Sequence, residues 1–344
     1  MYNIDRLFEA VSARGHVCVG LDTSPDYIPP VSRRLAASDA EAVLAYNRAI
    51  IDATADIAAC FKVQIAYYEA LGVAGLGVYA KTLALLREKK ALIIADIKRG
   101  DIADTAARYA KAHFEGDFEA DFVTLSPYMG MDSIEPWLSF AEKIGKGAFV
   151  LMKTSNKGMH DFENLEIAGG STPLASKPHS GRNGQNNSPV SPSVSFSATP
   201  PVEPSVQRLY HAVGDKLSAL ALQHMGKYGY GAFGAVVGAD PKTGAEREEA
   251  AALRERYSSL FFLIPGYGAQ GGAAEDAALL LREGNGGVVN ASRSILKAWM
   301  AKDTGTGNGE TPADVAAVDN GYAAEAAREA VAAMRDAIRQ AVKK

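Results

Sequence analysis

Cysteine is scarce in this chain: Cys18 and Cys60 are the only two in 344 residues, and they form no C-x-x-C pair. That excludes a disulfide framework, and buried free thiols in a reducing compartment are the expectation. The six histidines form no H-x-H or H-x-x-x-H pair, so the sequence offers no zinc site and no metal is expected. Apolar runs never reach the roughly 18 residues that a membrane-spanning helix needs, and a basic-then-apolar leader is lacking. The expected location is therefore the cytoplasm, without a membrane partner. Neither sign of charge dominates, with 36 Lys and Arg against 40 Asp and Glu and a net charge of −4. Such a balance gives no general reason to expect nucleic acid as a partner.

What the chain does contain is a series of short apolar runs separated by helix-length segments. Strand candidates fall at 16–22, 61–65, 91–96, 121–125, 148–153, 232–237, 260–264 and 287–290. They are apolar on both faces, as in a parallel sheet covered by helices such as those expected at 40–59 and 273–282. Eight such units closing on themselves form a (β/α)8 TIM barrel; an open doubly wound sheet is the competing reading, since periodicity does not show closure.

The densest chemistry follows the third run, in Asp96-Ile97-Lys98-Arg99-Gly100-Asp101-Ile102-Ala103-Asp104-Thr105. Alternation along a strand puts Asp96 and Lys98 on one face, whereas Asp101 lies past Gly100 at the start of an alanine-rich helical stretch running to Phe114. Charges at the carboxyl end of a buried strand are costly unless paired, and barrel enzymes keep their chemistry there. A solvated turn with Asp101 as helix N-cap is the bland alternative.

Two G-x-G-x-x-G matches need weighing. The one from Gly229 to Gly234 precedes a strand and so has the wrong context for dinucleotide binding. The one from Gly266 to Gly271 follows a strand and opens a helix, but no Asp or Glu ends the next strand to hold a ribose. Its place in the seventh unit suits a phosphate site instead, with backbone N–H groups and Arg293 as donors.

Two segments break the rhythm. Residues 169–205 are dense in Ser, Pro, Gly and Asn, a composition that cannot offset its ordering entropy and is expected to be a disordered insert. Residues 303–310 form a Gly/Thr linker before a C-terminal helix placed within 313–343, regular from about Tyr322. Val331, Met334, Ile338 and Ala341 give that helix one apolar stripe. The whole of 1–344 is otherwise read as one barrel domain.

The pattern D-x-K-x-x-D-I-x-x-T resembles the signature of the orotidine 5'-phosphate decarboxylase family. The likeness extends to Gly20-Leu21-Asp22, Phe61-Lys62-Val63-Gln64, Leu125-Ser126-Pro127-Tyr128, the run from Lys153 to Gly158, the run from Pro265 to Gly272, and Asn290-Ala291-Ser292-Arg293. Their order and spacing resemble the longer branch of that family. The resemblance implies conversion of orotidine 5'-phosphate to UMP and CO2, without a cofactor, by stabilising a carbanion at C6. It implies an array of Lys62, Asp96, Lys98 and Asp101 in which Lys98 donates the proton, Asp96 lies near the substrate carboxylate, and Lys62 pairs with Asp96 and touches the ribose. Asp101 and Thr105 would cross into the partner's site of a homodimer. Asp22 would hold ribose hydroxyls, Thr154 and Ser155 the pyrimidine, and Gln270 and Arg293 the phosphate. Taken alone, Lys62 reads as a snorkelling lysine and Ser126 as a turn former. The nearest rival is a barrel decarboxylase or aldolase acting on a sugar phosphate with Mg2+; in those relatives an acidic residue stands where this chain has Lys62. A non-catalytic barrel and a fused phosphoribosyltransferase have less in the sequence to support them.

Overall fold

The computed structural model describes residues 1–169, 205–239, 241, 243–268, 273–302 and 319–343. Eight parallel strands close into a barrel: β1 (Val17–Gly20), β2 (Cys60–Gln64), β3 (Ile93–Arg99), β4 (Phe122–Leu125), β5 (Gly147–Lys153), β8 (Phe233–Val237), β9 (Phe262–Ile264) and β10 (Gly287–Ala291). β10 pairs with β1 through Val17–Val289, Cys18–Asn290 and Val19–Ala291, which closes the sheet and sets aside the open doubly wound alternative. The remaining strands, β6 (Glu166–Gly169) and β7 (Ser205–Arg208), form a separate antiparallel pair after β5. They lie at the two ends of the Ser/Pro/Gly-rich stretch, whose residues 170–204 fall outside the described residues.

Strand alternation divides the core in two. Val17, Val19, Phe61, Val63, Ile93 and Ala95 belong to the larger cluster, which includes the surrounding helices. Cys18, Cys60, Ile94, Phe122, Phe149, Val236, Leu263 and Val288 fill the interior together with Ile4, Leu7 and Val11. The last three come from helix Asn3–Arg14, which plugs the end where the strands begin. Polar contacts pin it there: Arg6 to Asp121 ahead of β4, and Asn285 Nδ2 to the Phe8 carbonyl ahead of β10. With that end sealed, the opposite end is left for function.

The outer layer explains itself from capping and packing. Helix Asp39–Thr54 starts behind Ser38, whose hydroxyl accepts the Glu41 N–H at 3.2 Å. The C-terminal helix is Asn320–Val342, capped by Asp319 accepting from the Tyr322 amide at 3.0 Å. Positions 313–318 lie outside the described residues. Val331, Met334 and Ile338 are buried, and the helix packs against Asp39–Thr54 and Ala274–Leu279, across the seam where β10 meets β1. Burying such a stripe stabilises by roughly 1.5–3 kcal/mol per large side chain.

Cys18 and Cys60 are free, buried and paired in register on adjacent strands. Among the described residues no helix is long and apolar enough to cross a membrane.

Candidate active site

Four charged side chains meet at the carboxyl ends of the first three strands. Lys62 Nζ donates to Asp22 Oδ1 at 2.9 Å and to Asp96 Oδ2 at 2.9 Å. Lys98 Nζ lies 2.5 Å from Asp96 Oδ1. Asp96 also accepts from Gln64 Nε2 at 2.9 Å and from the Thr124 hydroxyl at 2.8 Å. Each of its oxygens therefore holds two donors, and Asp22 and Asp96 both face an ammonium.

Position in the fold divides the labour. The side chains of Lys62 and Asp96 are 5% and 7% exposed, whereas Lys98 is 47% exposed. Lys62 is thus a clamp inside the barrel, and Lys98 is the ammonium presented at its mouth. Burial disfavours a charged Lys62, but the flanking Asp22 and Asp96 outweigh it and hold the group above the ordinary lysine range. Burial likewise opposes ionisation of Asp96, yet Lys62 and Lys98 keep its carboxyl well below the usual carboxylate range. Both groups are charged throughout the physiological range. A buried ion cluster is poor value for stability alone, because desolvation offsets much of its Coulomb gain.

Lys98 does not reach Asp96 by simple pleat alternation. Its φ is +44°, in the left-handed region, and β3 runs past Asp96 to Arg99 instead of stopping there. The register with β4 shifts between Ala95 and Arg99, so the strand bulges where the array sits.

The other candidates take distinct places. Asp101 lies ahead of helix Ala103–Phe114, and its carboxylate accepts the Ile102 amide at 2.8 Å. Ile102, not Asp101, occupies the cap position, and no side chain caps it. Among the described residues Asp101 makes no ion pair with the array of its own chain, and Thr105 is exposed on the same helix. The Thr154 hydroxyl lies 2.7 Å from Asn156 Oδ1 and 2.9 Å from Glu163 Oε1, and its amide donates to Glu163. Ser155 packs beside Gly238, where an added Cβ would stand 2.8 Å from the serine Cβ. Arg293 is exposed at the start of helix Arg293–Leu296 behind β10. Burial, with Tyr27 and Asp22 beside it, pushes the Tyr67 phenol up, and Arg293 acts the other way. Gln270 lies outside the described residues.

Three polar partners escaped the sequence reading. Gln64 stands two positions beyond Lys62 and so shares its face, a signal that alternation supplies. Thr124 and Glu163 carry no such signal, because Thr124 acts across 28 residues on Asp96 and Glu163 folds back on Thr154 through an irregular turn. A cavity of about 1100 Å³ opens beyond Thr154 and Ser155, lined by Lys153, Arg208 and Glu249 among others. It includes none of the array, so charge geometry and not volume marks the reactive centre. Among the described residues no group of three His, Cys, Asp or Glu side chains is placed to hold a metal ion.

Comparison with known proteins bears on the family and the fold. The profile of the orotidine 5'-phosphate decarboxylase / HUMPS family matches residues 15–190. An orotidine 5'-phosphate decarboxylase of Clostridium perfringens is 48% identical over 99% of both chains, and one of Clostridium acetobutylicum is 46% identical over 98% of this chain and 99% of its own. The solved structure of Leishmania donovani OMP decarboxylase is 27% identical with a TM-score of 0.63, covering 98% of this chain and 100% of that one. Barrel and relatives together define a carboxy-lyase built on a (β/α)8 scaffold. The chain belongs to the orotidine 5'-phosphate decarboxylase family, in its longer branch.

Proposed function

We propose that this enzyme converts orotidine 5'-phosphate to UMP and CO2, the decarboxylation that completes de novo UMP synthesis, in the cytoplasm and without a metal or organic cofactor. The observation that carries the reading is Asp96 held between two ammonium groups, one buried and one presented at the mouth.

In this reaction the bond from C6 to the carboxylate breaks heterolytically. CO2 leaves, and the electron pair stays on C6 in an orbital that the ring π system does not delocalise. Lys98 supplies the compensating charge, then transfers a proton from Nζ to C6 and recovers one from solvent. An ammonium about 4 Å from a unit charge contributes on the order of 4 kcal/mol at an effective dielectric near 20. The largest enzymatic accelerations need roughly 20 kcal/mol, so fixed array charges and binding energy from the remote phosphate supply the remainder. Lys62 pins Asp96 in place, which keeps the field at Lys98 organised before substrate arrives.

Residue roles follow the same line. Arg293 and Gln270 take the phosphate, Asp22 and Lys62 the ribose, and Thr154 and Ser155 the pyrimidine. Asp96 faces the departing carboxylate. The active unit is a homodimer in which Asp101 and Thr105 enter the neighbouring site. Support comes from the rim: Ile102, Tyr128 and Met129 are 41%, 84% and 49% exposed on the adjoining loops after β3 and β4, an apolar surface suited to a second copy. The Mg2+-dependent sugar-phosphate alternative is disfavoured by Lys62, whose ammonium lies between the two carboxylates that would otherwise face a cation.

The test is product analysis. Purified protein given orotidine 5'-phosphate should release UMP and CO2 in equal amounts, while orotidine lacking the phosphate should turn over far more slowly. Absence of UMP from active, folded protein would overturn the assignment.

A further inference from the structure

We propose that Thr124 is a positioning residue whose hydroxyl locks the β3 bulge and the Asp96 carboxylate into the one arrangement that presents Lys98 at the mouth. The inference rests on the decarboxylase reading for its kinetic consequences, but the lock itself is a matter of geometry.

Ala95 pairs with Val123 and Arg99 with Leu125, so Asp96, Ile97 and Lys98 all face the single residue Thr124. A bulge of this size takes backbone N–H groups out of the ladder, and buried N–H groups require acceptors. Here both go to one atom: the amides of Ile97 and Lys98 donate to Thr124 Oγ1 at 3.0 and 2.9 Å. A hydroxyl oxygen has two lone pairs and one proton. With both lone pairs engaged, the proton has a single destination, Asp96 Oδ1 at 2.8 Å. That oxygen is also the one that meets Lys98 Nζ.

The consequence is a closed ring of contacts from the Lys98 backbone through Thr124 and Asp96 back to the Lys98 side chain. Thr124 is 1% exposed, so solvent does not stand ready to replace its hydroxyl. Lys98 carries a backbone conformation that L-residues adopt at a cost, and such a conformation persists only where neighbours enforce it. β-branching restricts the threonine rotamer in turn, fixing the direction in which its oxygen points. Serine would preserve all three hydrogen bonds with a looser rotamer. Valine would keep the shape and remove the atom that makes them.

The experiment compares Thr124→Ser with Thr124→Val. Displacing a reacting group by about 1 Å costs about 100-fold in rate, so Thr124→Val should lower kcat by about that factor. UMP affinity should change by less than about threefold, and Thr124→Ser should stay within about fivefold of the parent. Equal kcat for Thr124→Val and the parent, or equal loss in both variants, would overturn the proposal. Should Thr124→Val not fold, Thr124→Ala removes the same oxygen with less bulk and carries the same expectation. Amide hydrogen exchange at Ile97 and Lys98 separates the lock from the reaction. It should be at least about tenfold faster in the hydroxyl-free variant than in the parent and in Thr124→Ser. Unchanged exchange would refute the lock even in a protein that decarboxylates, whereas altered exchange in a protein that does not would refute only the assigned activity.

Discussion

Asp96 and Lys98 stand two positions apart on one strand and their side chains meet, Nζ to Oδ1 at 2.5 Å. An ideal pleat puts such residues on one face but leaves them parallel. The bulge after Ala95 and the left-handed φ of Lys98 turn the lysine back onto the carboxylate while leaving it half open to the mouth. Exposure makes Lys98 available to a ligand; contact with Asp96 keeps it directed.

Lys98→Ala should therefore abolish turnover, by about 1,000-fold or more, while UMP still binds, because Lys98 acts mainly on charge that develops in the transition state. Arg293→Ala should instead raise KM, since it removes the proposed phosphate donor. Steady-state kinetics with UMP titration separates the two, and equal, modest losses of affinity in both variants would contradict the roles.

Lys62→Met should destabilise the fold by roughly 3–5 kcal/mol, because it leaves the buried Asp96 and the neighbouring Asp22 short of their shared ammonium. Adding Asp96→Asn should restore part of that loss. Urea unfolding at pH 7 checks both; a single variant within about 1 kcal/mol of the parent would show that water repairs the site.

Acid should weaken the fold through His113. This imidazole is 3% exposed, stacked on Phe118 with ring centroids 5.9 Å apart, and burial lowers its pKa to about 4 from an ordinary 6.5, with Arg99 adding to the shift. The folded state thus resists a proton that the unfolded chain accepts. The contribution is full above about pH 6.5 and is lost as pH falls from there to about 4, amounting to about 3 kcal/mol. His113→Phe should flatten the fall in urea midpoint between pH 7 and 4.5. An identical pH profile in parent and variant would mean that other groups carry the acid sensitivity.

The proposed sharing of sites across a dimer predicts complementation. Mixing inactive Lys98→Ala with inactive Asp101→Ala should restore about a quarter of parental activity after random exchange, as half the dimers are mixed and each owns one intact site. No recovery despite proven exchange would keep Asp101 within its own subunit's site.

Much of this protein is legible in its sequence, for reasons tied to particular residues. Parallel strands buried on both faces must be apolar, so runs such as Val17-Cys18-Val19 and Phe262-Leu263-Ile264 stand out between polar helices. Closure is not local, and only the pairing of β10 with β1 reveals it. Asp96 and Lys98 could be grouped by alternation, but the bulge between them has no glycine or proline to announce it. Its hold comes from Thr124, 26 residues beyond Lys98. Helix ends were blurred for a similar reason: the expected helix at 40–59 stops at Thr54 because the chain must turn to feed β2, although alanines continue past it. The proposed crossing of Asp101 and Thr105 rests on family likeness alone, since no spacing within one chain encodes a contact with another.

The most direct test is the decay of orotate-type ultraviolet absorbance when orotidine 5'-phosphate is added to protein freed of metals with EDTA. An array of lysines and carboxylates that works by its own charges predicts full activity under chelation and no gain from added Mg2+. Activity that vanishes in EDTA and returns with Mg2+ would contradict it.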